Sequence, residues 1–125
     1  MSLGKILIIE DDSILRNIYH IKLSHTLKAE VCLAVDGEEG IQKASDEKPT
    51  VILLDLILPK KNGFEVLSEI RNNPALKHLP VIVFSVLGEA EDRQKAMRMG
   101  ADEYLIKHEI SLNDLIDTLK KYLDE

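Results

Sequence analysis

Five short apolar runs, separated by longer amphipathic stretches, constrain the fold of this chain most. The runs are Ile6–Ile9, Val31–Val35, Val51–Leu54, Val81–Phe84 and Tyr104–Ile106. Runs of this length, rich in Ile and Val and apolar on both faces, are typical of strands buried in a parallel sheet. The sequence therefore predicts five parallel strands.

The stretches after the runs carry helical periodicity, with apolar residues recurring every three or four positions. Three of them are marked by Ile14, Ile18 and Ile21 beside Leu15 and Tyr19, by Phe64, Leu67 and Ile70, and by Leu112, Leu115, Ile116, Leu119 and Leu123. The stretch from about Glu89 to Met99 has only a thin apolar stripe, formed by Ala90, Ala96 and Met97. The resulting βα unit, repeated five times, predicts an α/β fold with helices on both faces of a parallel sheet.

Polar residues before these stretches match the preferences of helix N-termini. Asp12 is expected to cap the first helix and Ser111 the fifth, because their side chains can accept backbone N–H groups. Asp36 is expected to cap the second helix, and Glu39 stands three residues on, as in a capping box.

Length and charge narrow the class of protein further. A chain of 125 residues is expected to form one domain, here 4–125, with 1–3 set aside as a candidate expression remnant. The net charge of −6 argues against nucleic acid as the direct ligand, and no basic run suits an anionic membrane. No apolar stretch reaches bilayer length. The one cysteine, Cys32, is expected in the core, which suits a reducing, cytoplasmic setting.

The residues directly after the apolar runs carry the chemistry, because the working site of an open α/β sheet lies beyond the carboxyl ends of its strands. These residues are Glu10, Asp11 and Asp12 after the first run, Asp55 after the third, Ser85 after the fourth and Lys107 after the fifth. With Asp12 assigned to the cap of the first helix, three carboxylates, a hydroxyl and an ammonium group are expected at one edge of the sheet.

A cluster of Glu10, Asp11 and Asp55 would destabilise the domain unless a cation or a proton lies among them. Two like charges about 4 Å apart repel by roughly 4 kcal/mol at an effective dielectric near 20. Oxygen ligands favour Mg²⁺ or a similar hard ion such as Mn²⁺ over zinc. Lys107 and Ser85 can bind a phosphate oxygen beside that ion, so the set is suited to phosphoryl transfer onto a carboxylate.

Each of these residues also has an ordinary explanation when taken alone. Asp12 fits a helix cap, the other acids fit solvated strand ends, Ser85 fits a strand-end hydroxyl and Lys107 fits a surface lysine. Their shared position, each after a separate apolar run, makes the combined coincidence implausible. Three histidines are expected on the surface: His20, His25 and His78. No His or Cys spacing in the sequence indicates a zinc site.

In its motifs the chain resembles bacterial two-component response-regulator receiver domains of the CheY-like type. The resemblance extends from Lys5 to about Leu123. It rests on Ile6–Asp12, Leu53–Pro59 with Gly63, Val81–Ser85, Gly100-Ala101 and Tyr104–Lys107. It implies a three-layer α/β/α, flavodoxin-like (βα)₅ fold with strand order 2-1-3-4-5.

The resemblance also implies roles for individual residues. Asp55 would accept the phosphoryl group, and Lys107 and Ser85 would bind it. Mg²⁺ would be held by Glu10, Asp11, Asp55 and the backbone carbonyl of Ile57. Tyr104 would turn inward when Ser85 moves.

The same resemblance implies partners. The donor would be a phosphohistidine on a sensor histidine kinase or a histidine phosphotransfer protein. The output surface for a downstream effector protein or domain would be the fourth helix, fifth strand and fifth helix, through which a homodimer can also form. The chain would not be an enzyme beyond catalysing its own phosphorylation and dephosphorylation.

The chain departs from the family pattern at two positions, His108 and Asn62, and the first leads to a prediction. His108 follows Lys107 where relatives usually have proline, and a cis bond before a non-proline residue costs roughly 2.5–4 kcal/mol, so a trans 107–108 bond is predicted. Asn62 stands where many relatives have Asp. The resemblance also implies that the residues two past Asp55 and Ser85 lie near the path of the attacking water. Here they are Ile57 and Leu87, which are apolar and orient water poorly, so slow self-dephosphorylation is predicted.

The same residues bear on other functions. An aspartyl phosphatase needs a second acid two residues after its nucleophile, where this chain has Ile57. A flavodoxin-type flavin site needs a Ser/Thr/Gly-rich loop after the first strand, but Glu10-Asp11-Asp12 would repel a phosphate, and no Walker-type loop is present. A receiver that no longer takes phosphate and serves as an interaction module stays open, as does a receiver cut from a larger regulator or hybrid kinase.

Overall fold

The computed structural model describes residues 4–123, so the candidate expression remnant at 1–3 lies outside the described residues. Within these residues five strands alternate with five helices, as predicted. The elements are β1 (Lys5–Ile9), α1 (Ser13–Leu27), β2 (Glu30–Ala34), α2 (Gly37–Glu47), β3 (Val51–Leu54), α3 (Gly63–Asn72), β4 (Val81–Ser85), α4 (Ala90–Arg98), β5 (Glu103–Ile106) and α5 (Leu112–Lys120).

All strand pairs are parallel, and the sheet order is β2-β1-β3-β4-β5, which confirms the expected topology. The pairing places Ile9 opposite both Ala34 and Leu54. The ends of β1 and β3 therefore lie side by side at the centre of the sheet.

Two apolar cores, one on each face of the sheet, explain why the strand runs are continuously apolar. Successive strand residues point to opposite faces, so Leu7 and Ile9 pack under α2, α3 and α4, while Ile6 and Ile8 pack under α1 and α5. Both faces of the central strands are closed to solvent, which gives the three-layer architecture.

The two edge strands are less buried than their apolar runs predict. β2 and β5 each have only one buried residue, Ala34 and Tyr104. Cys32 is accordingly half-buried rather than a core residue, and its Sγ lies 3.5 Å from Oε1 of Glu47. Full burial on both faces holds for the three central strands, because each has a neighbour on either side.

The periodicity located α1 correctly but did not identify the face that it buries. Ile14, Ile18 and Ile21 are exposed, at 70%, 44% and 66%. The helix packs instead through Leu23 and Leu27, together with Tyr19, whose ring meets Phe84 edge-on at 5.3 Å. Three isoleucines thus form an apolar ridge on the outer side of α1.

The predicted caps of α1 and α5 are confirmed. Oδ1 of Asp12 accepts the backbone N–H groups of Ile14 and Leu15 at 2.9 and 3.1 Å. Ser111 forms a capping box with Asp114.

At α2, Asp36 accepts the N–H of Glu39 at 2.8 Å, as expected. The Glu39 carboxylate, however, accepts the N–H of Val35 rather than that of Asp36, so the capping box predicted there is wrong in its second half.

α4 is held unevenly. Of its predicted stripe only Ala96 is buried, while Ala90 and Met97 are exposed. Beyond its C-terminal end, Arg71 Nε donates to the carbonyl of Gly100 at 2.9 Å. At its N-terminal end, Glu89 makes no side-chain capping bond.

Within 4–123, none of the helices combines the length and apolar character that a membrane span requires.

Candidate functional site

The sheet ladder fixes the two central acids of the predicted site. The N–H of Glu10 donates to the carbonyl of Ala34 at 3.0 Å, and the N–H of Asp55 donates to the carbonyl of Ile9 at 3.1 Å. Parallel pairing therefore continues one residue beyond β1 and β3. Both carboxylates start from rigid backbone at the same edge of the sheet.

Three acids gather at this edge, as the sequence predicts. Glu10 and Asp55 are 3% and 7% exposed, and Asp11 is exposed. Each offers a carboxylate oxygen within 4.8 Å of the others. Asp12 is turned away to cap α1 and does not belong to the cluster.

Lys107 reaches the cluster from β5. Its Nζ lies 2.5 Å from Oε1 of Glu10 and 3.1 Å from Oδ2 of Asp55, with the side chain 10% exposed. Its own N–H donates to the carbonyl of Ser85 at 2.8 Å. All described peptide bonds are trans, including 107–108, as predicted. A histidine after Lys107 is therefore compatible with an ammonium aimed at Asp55.

The pKa values of Glu10 and Lys107 are both raised, which disfavours the charged form of the acid and favours the charged form of the lysine. Burial raises the pKa of Glu10, and this outweighs the lowering by Lys107. Burial lowers the pKa of Lys107, but its hydrogen bond to Glu10 and the charges of Asp55 and Glu10 raise it further than burial lowers it. The Lys107 ammonium therefore stays charged, and its charge stabilises the ionised form of the buried Glu10.

The predicted switch residues lie next to this cluster. Ser85 is fully buried, and its Oγ accepts the N–H of Leu87 at a long 3.4 Å. Tyr104 is 5% exposed, and its hydroxyl donates to the carbonyl of Leu87 at 2.8 Å. Both side chains thus converge on the backbone of the loop between β4 and α4, and the tyrosine is directed inward.

The loop after β3 brings a further oxygen to the site. The N–H of Ile57 donates to Oδ1 of Asp55 at 3.2 Å, and the Ile57 carbonyl accepts no hydrogen bond from the rest of 4–123. Gly63 permits this loop to close, because a Cβ there would lie 2.4 Å from the carbonyl oxygen of Asp55.

The donor set fits a hard divalent cation. Three carboxylates face one ammonium, which leaves negative charge uncompensated in a mostly buried site. All the atoms that could bind a metal here, including the Ile57 carbonyl, are oxygens, the ligands that Mg²⁺ and Mn²⁺ prefer.

Sequence reasoning missed one residue at this site, Arg16. Its Nη1 donates to the carbonyls of Glu10 and Asp11 at 2.9 and 3.2 Å. The only sequence signal is an arginine placed one helical turn after the Asp12 cap, where its side chain can fold back over the preceding loop.

Fold and site together define a class of small α/β domains that collect acids, a lysine and a hydroxyl at the carboxyl edge of a parallel sheet. The model of the response regulator receiver domain family matches residues 6–120. The chain therefore belongs to the response regulator receiver domain family, the receivers of two-component signalling systems.

Individual relatives agree with this assignment. The DNA-binding dual master transcriptional regulator RpaA of Synechocystis sp. is 37% identical over 103 residues, which cover 82% of this chain and 42% of RpaA. Protein PilG of Pseudomonas aeruginosa is 29% identical over 119 residues, covering 95% of this chain and 87% of PilG. The chain thus spans about two fifths of the length of the transcriptional regulators that it matches.

A solved structure, the Mn²⁺-bound form of response regulator Rcp1, is similar throughout. It superposes with a TM-score of 0.76 at 32% identity, covering 94% of this chain and 90% of Rcp1. The fold prediction is thereby confirmed by an experimental relative.

Proposed function

We propose that Asp55 accepts a phosphoryl group from a phosphohistidine on a sensor histidine kinase or a histidine phosphotransfer protein. The observation that carries this proposal is the 3.1 Å contact between Nζ of Lys107 and Oδ2 of Asp55 inside a cluster of acids. An ammonium there can neutralise phosphoryl oxygens as they arrive.

The transfer is a displacement at phosphorus. A carboxylate oxygen of Asp55 forms the new P–O bond, the P–N bond breaks, and the histidine imidazole leaves. Lys107 and Ser85 bind the oxygens of the transferred group. Because the N–H of Asp55 donates to the carbonyl of Ile9 and its Oδ1 accepts the N–H of Ile57, the carboxylate meets the donor in a fixed orientation.

Mg²⁺, or Mn²⁺ as in the Rcp1 structure, is the cofactor that we assign. Glu10, Asp11, Asp55 and the Ile57 carbonyl would hold it. Bound there, such an ion supplies positive charge to the phosphoryl oxygens in the transition state.

The output follows from the same residues. A phosphoryl group of about −2 charge attracts Ser85 and Lys107, and the Leu87 loop that Tyr104 binds responds. The face formed by α4, β5 and α5 is then the surface for a downstream effector or for a second copy of the chain. Met97 offers an exposed apolar contact there.

We place the donor protein on the exposed ridge of Ile14, Ile18 and Ile21. The ridge begins three residues after Asp11 and runs along α1 away from the site. Exposed apolar stripes of this kind mark interaction surfaces, and this one adjoins the acid that must meet the phosphohistidine.

Incubation with Mg²⁺ and acetyl phosphate, followed by intact mass measurement, tests the assignment. We expect the added mass of one phosphoryl group, lost when Asp55 becomes Asn or when EDTA removes the ion. Asp12→Asn is the matched control, because Asp12 lies in the same loop but caps α1. Full modification of Asp55→Asn would overturn the proposal.

A second expectation concerns the lifetime of the aspartyl phosphate. Ile57 is 51% exposed and Leu87 is half-buried, so apolar side chains stand at both positions where a polar one would orient water. We expect slow self-dephosphorylation, accelerated several-fold in the double variant Ile57→Asn, Leu87→Gln. Decay of the purified phosphoprotein measures it, and an unchanged rate would contradict the idea.

These proposals concern the domain at 4–125, acting in the cytoplasm and catalysing only its own phosphorylation and dephosphorylation. Since the chain spans 42% of the DNA-binding regulator RpaA, DNA binding is said of that relative and is not proposed for this chain.

A further inference from the structure

The side chain of Arg16 lies over the loop that carries two of the acids. From the first turn of α1 its Nη1 donates to the carbonyls of Glu10 and Asp11, at 2.9 and 3.2 Å. Its own N–H donates to the carbonyl of Asp12 at 2.9 Å. One half-buried residue therefore bonds three consecutive backbone carbonyls of this loop.

The acids that flank this contact are supported differently. Glu10 is held through its side chain, by Lys107 at 2.5 Å and by the N–H of Asp12 at 3.2 Å. The carboxylate of Asp11 is exposed and accepts no hydrogen bond from the residues between 4 and 123. Arg16 therefore holds the backbone from which the Asp11 carboxylate projects.

Charge gives this arrangement a testable sign. The ion pairs formed within 4–123 do not include Arg16, so its positive charge stands near the acid cluster without a carboxylate partner. If charge were its main effect, removing it would strengthen binding of a dication, because like charges repel. If it positions a ligand, removing it weakens binding.

We propose that Arg16 is a positioning residue, which aims Asp11 at the divalent cation by fixing the carbonyls of Glu10 and Asp11. This inference rests on the proposed metal site and extends it to a residue that touches neither the ion nor the phosphoryl group. Holding a ligand through a neighbouring hydrogen bond is a general way to raise metal affinity.

Calorimetric titration of the full chain with MgCl₂ tests the proposal. We expect the Kd of Arg16→Met to rise about tenfold, the lower end of the range for such supporting contacts. Lys22→Met is the matched control, since it removes a positive charge from an exposed position on the same helix. A Kd for Arg16→Met equal to or below that of wild type would overturn the proposal.

A double-mutant cycle shows whether Arg16 acts through Asp11. In an Asp11→Asn background, Arg16→Met should change the Mg²⁺ Kd by less than about twofold if the effect passes through that carboxylate. A further tenfold loss in this background would overturn it.

Two controls separate the possible failures. If wild type shows no Mg²⁺ binding, the proposed function fails, whereas equal Kd values for wild type and Arg16→Met refute only the role of Arg16. If Arg16→Met does not fold, Arg16→Lys decides, because its shorter side chain cannot place an ammonium where Nη1 lies. A several-fold higher Kd supports the proposal, and a wild-type Kd refutes it.

Discussion

Helices α1 and α5 pack against the same face of the sheet, but they use their apolar residues in different ways. In α5, Leu115, Ile116 and Leu119 all enter the core, as their spacing predicts. In α1, the isoleucines at equally regular spacing face solvent, and a second set of residues makes the contact with the sheet.

The difference teaches that periodicity identifies a helix more securely than it identifies the buried face. α1 is apolar over a wide arc, and only one side of it can reach the sheet. The apolar residues left outside adjoin the acid cluster, whereas α5 has no comparable surplus. A helix with more apolar surface than the core requires is therefore a candidate for binding a partner.

The largest expected effect is on stability. Leu119→Ala in α5 should lower the free energy of unfolding by about 2–5 kcal/mol, because it leaves a cavity at a fully buried position. Ile21→Ala in α1 should change it by less than about 0.5 kcal/mol. Urea denaturation measures both. Similar losses in the two variants would mean that the ridge is structural and would erase the contrast.

The next effect is on phosphotransfer. Replacing Ile14, Ile18 and Ile21 together by Ala should slow transfer from a phosphohistidine protein, because apolar contact area next to the site is lost. Phosphorylation by acetyl phosphate should be unchanged, since a small donor does not need the ridge. Parallel rate measurements with both donors check this. Equal slowing with the two donors would show that the substitutions disturb Asp55 itself.

The smallest effect concerns the ionisation of three tyrosines, one in α1, one after α5 and one in β5. Burial raises the pKa of Tyr19 on α1, and burial followed by the hydrogen bond to Glu103 raises that of Tyr122 after α5. Burial likewise raises the pKa of Tyr104. The unfolded chain therefore releases these protons first, and stability falls as pH rises above about 10.

We expect tyrosinate absorbance to appear together with unfolding, not before it. A tyrosine that titrates in the folded protein near its ordinary pKa would show that its ring is more accessible than the packing indicates. Tyr19→Phe and Tyr122→Phe assign any such signal to one helix or the other.

Much of the fold follows from the sequence because central strands of a parallel sheet must be apolar on both faces. The acids at Glu10, Asp11 and Asp55 could be placed together for a related reason, since parallel strands end at one edge. Partial exposure of β2 and β5 could not be predicted from composition. It depends on which strands lie at the edges, and strand order is a property of the whole chain.

The site was only partly predictable for a similar reason. The residue types of Lys107 and Ser85 indicate their chemistry. Their positions directly after apolar runs indicate that they lie at the carboxyl edge of the sheet. Arg16 contacts this loop through backbone carbonyls, and carbonyls carry no residue-specific signal. The partner of Glu39 was predicted one residue away from the group that it binds, because hydrogen-bond geometry at a helix start is decided by local backbone angles.

The uneven anchoring of α4 has a mechanical consequence. When a rigid helix is restrained at one end, displacement grows with distance from that end. The hydrogen bond from Arg71 to Gly100 restrains the C-terminal end of α4, whereas its start at Glu89, next to the β4–α4 loop, has no side-chain cap. A small push from that loop should swing the first turn most, so amide hydrogen exchange should be faster at Asp92 than at Met99.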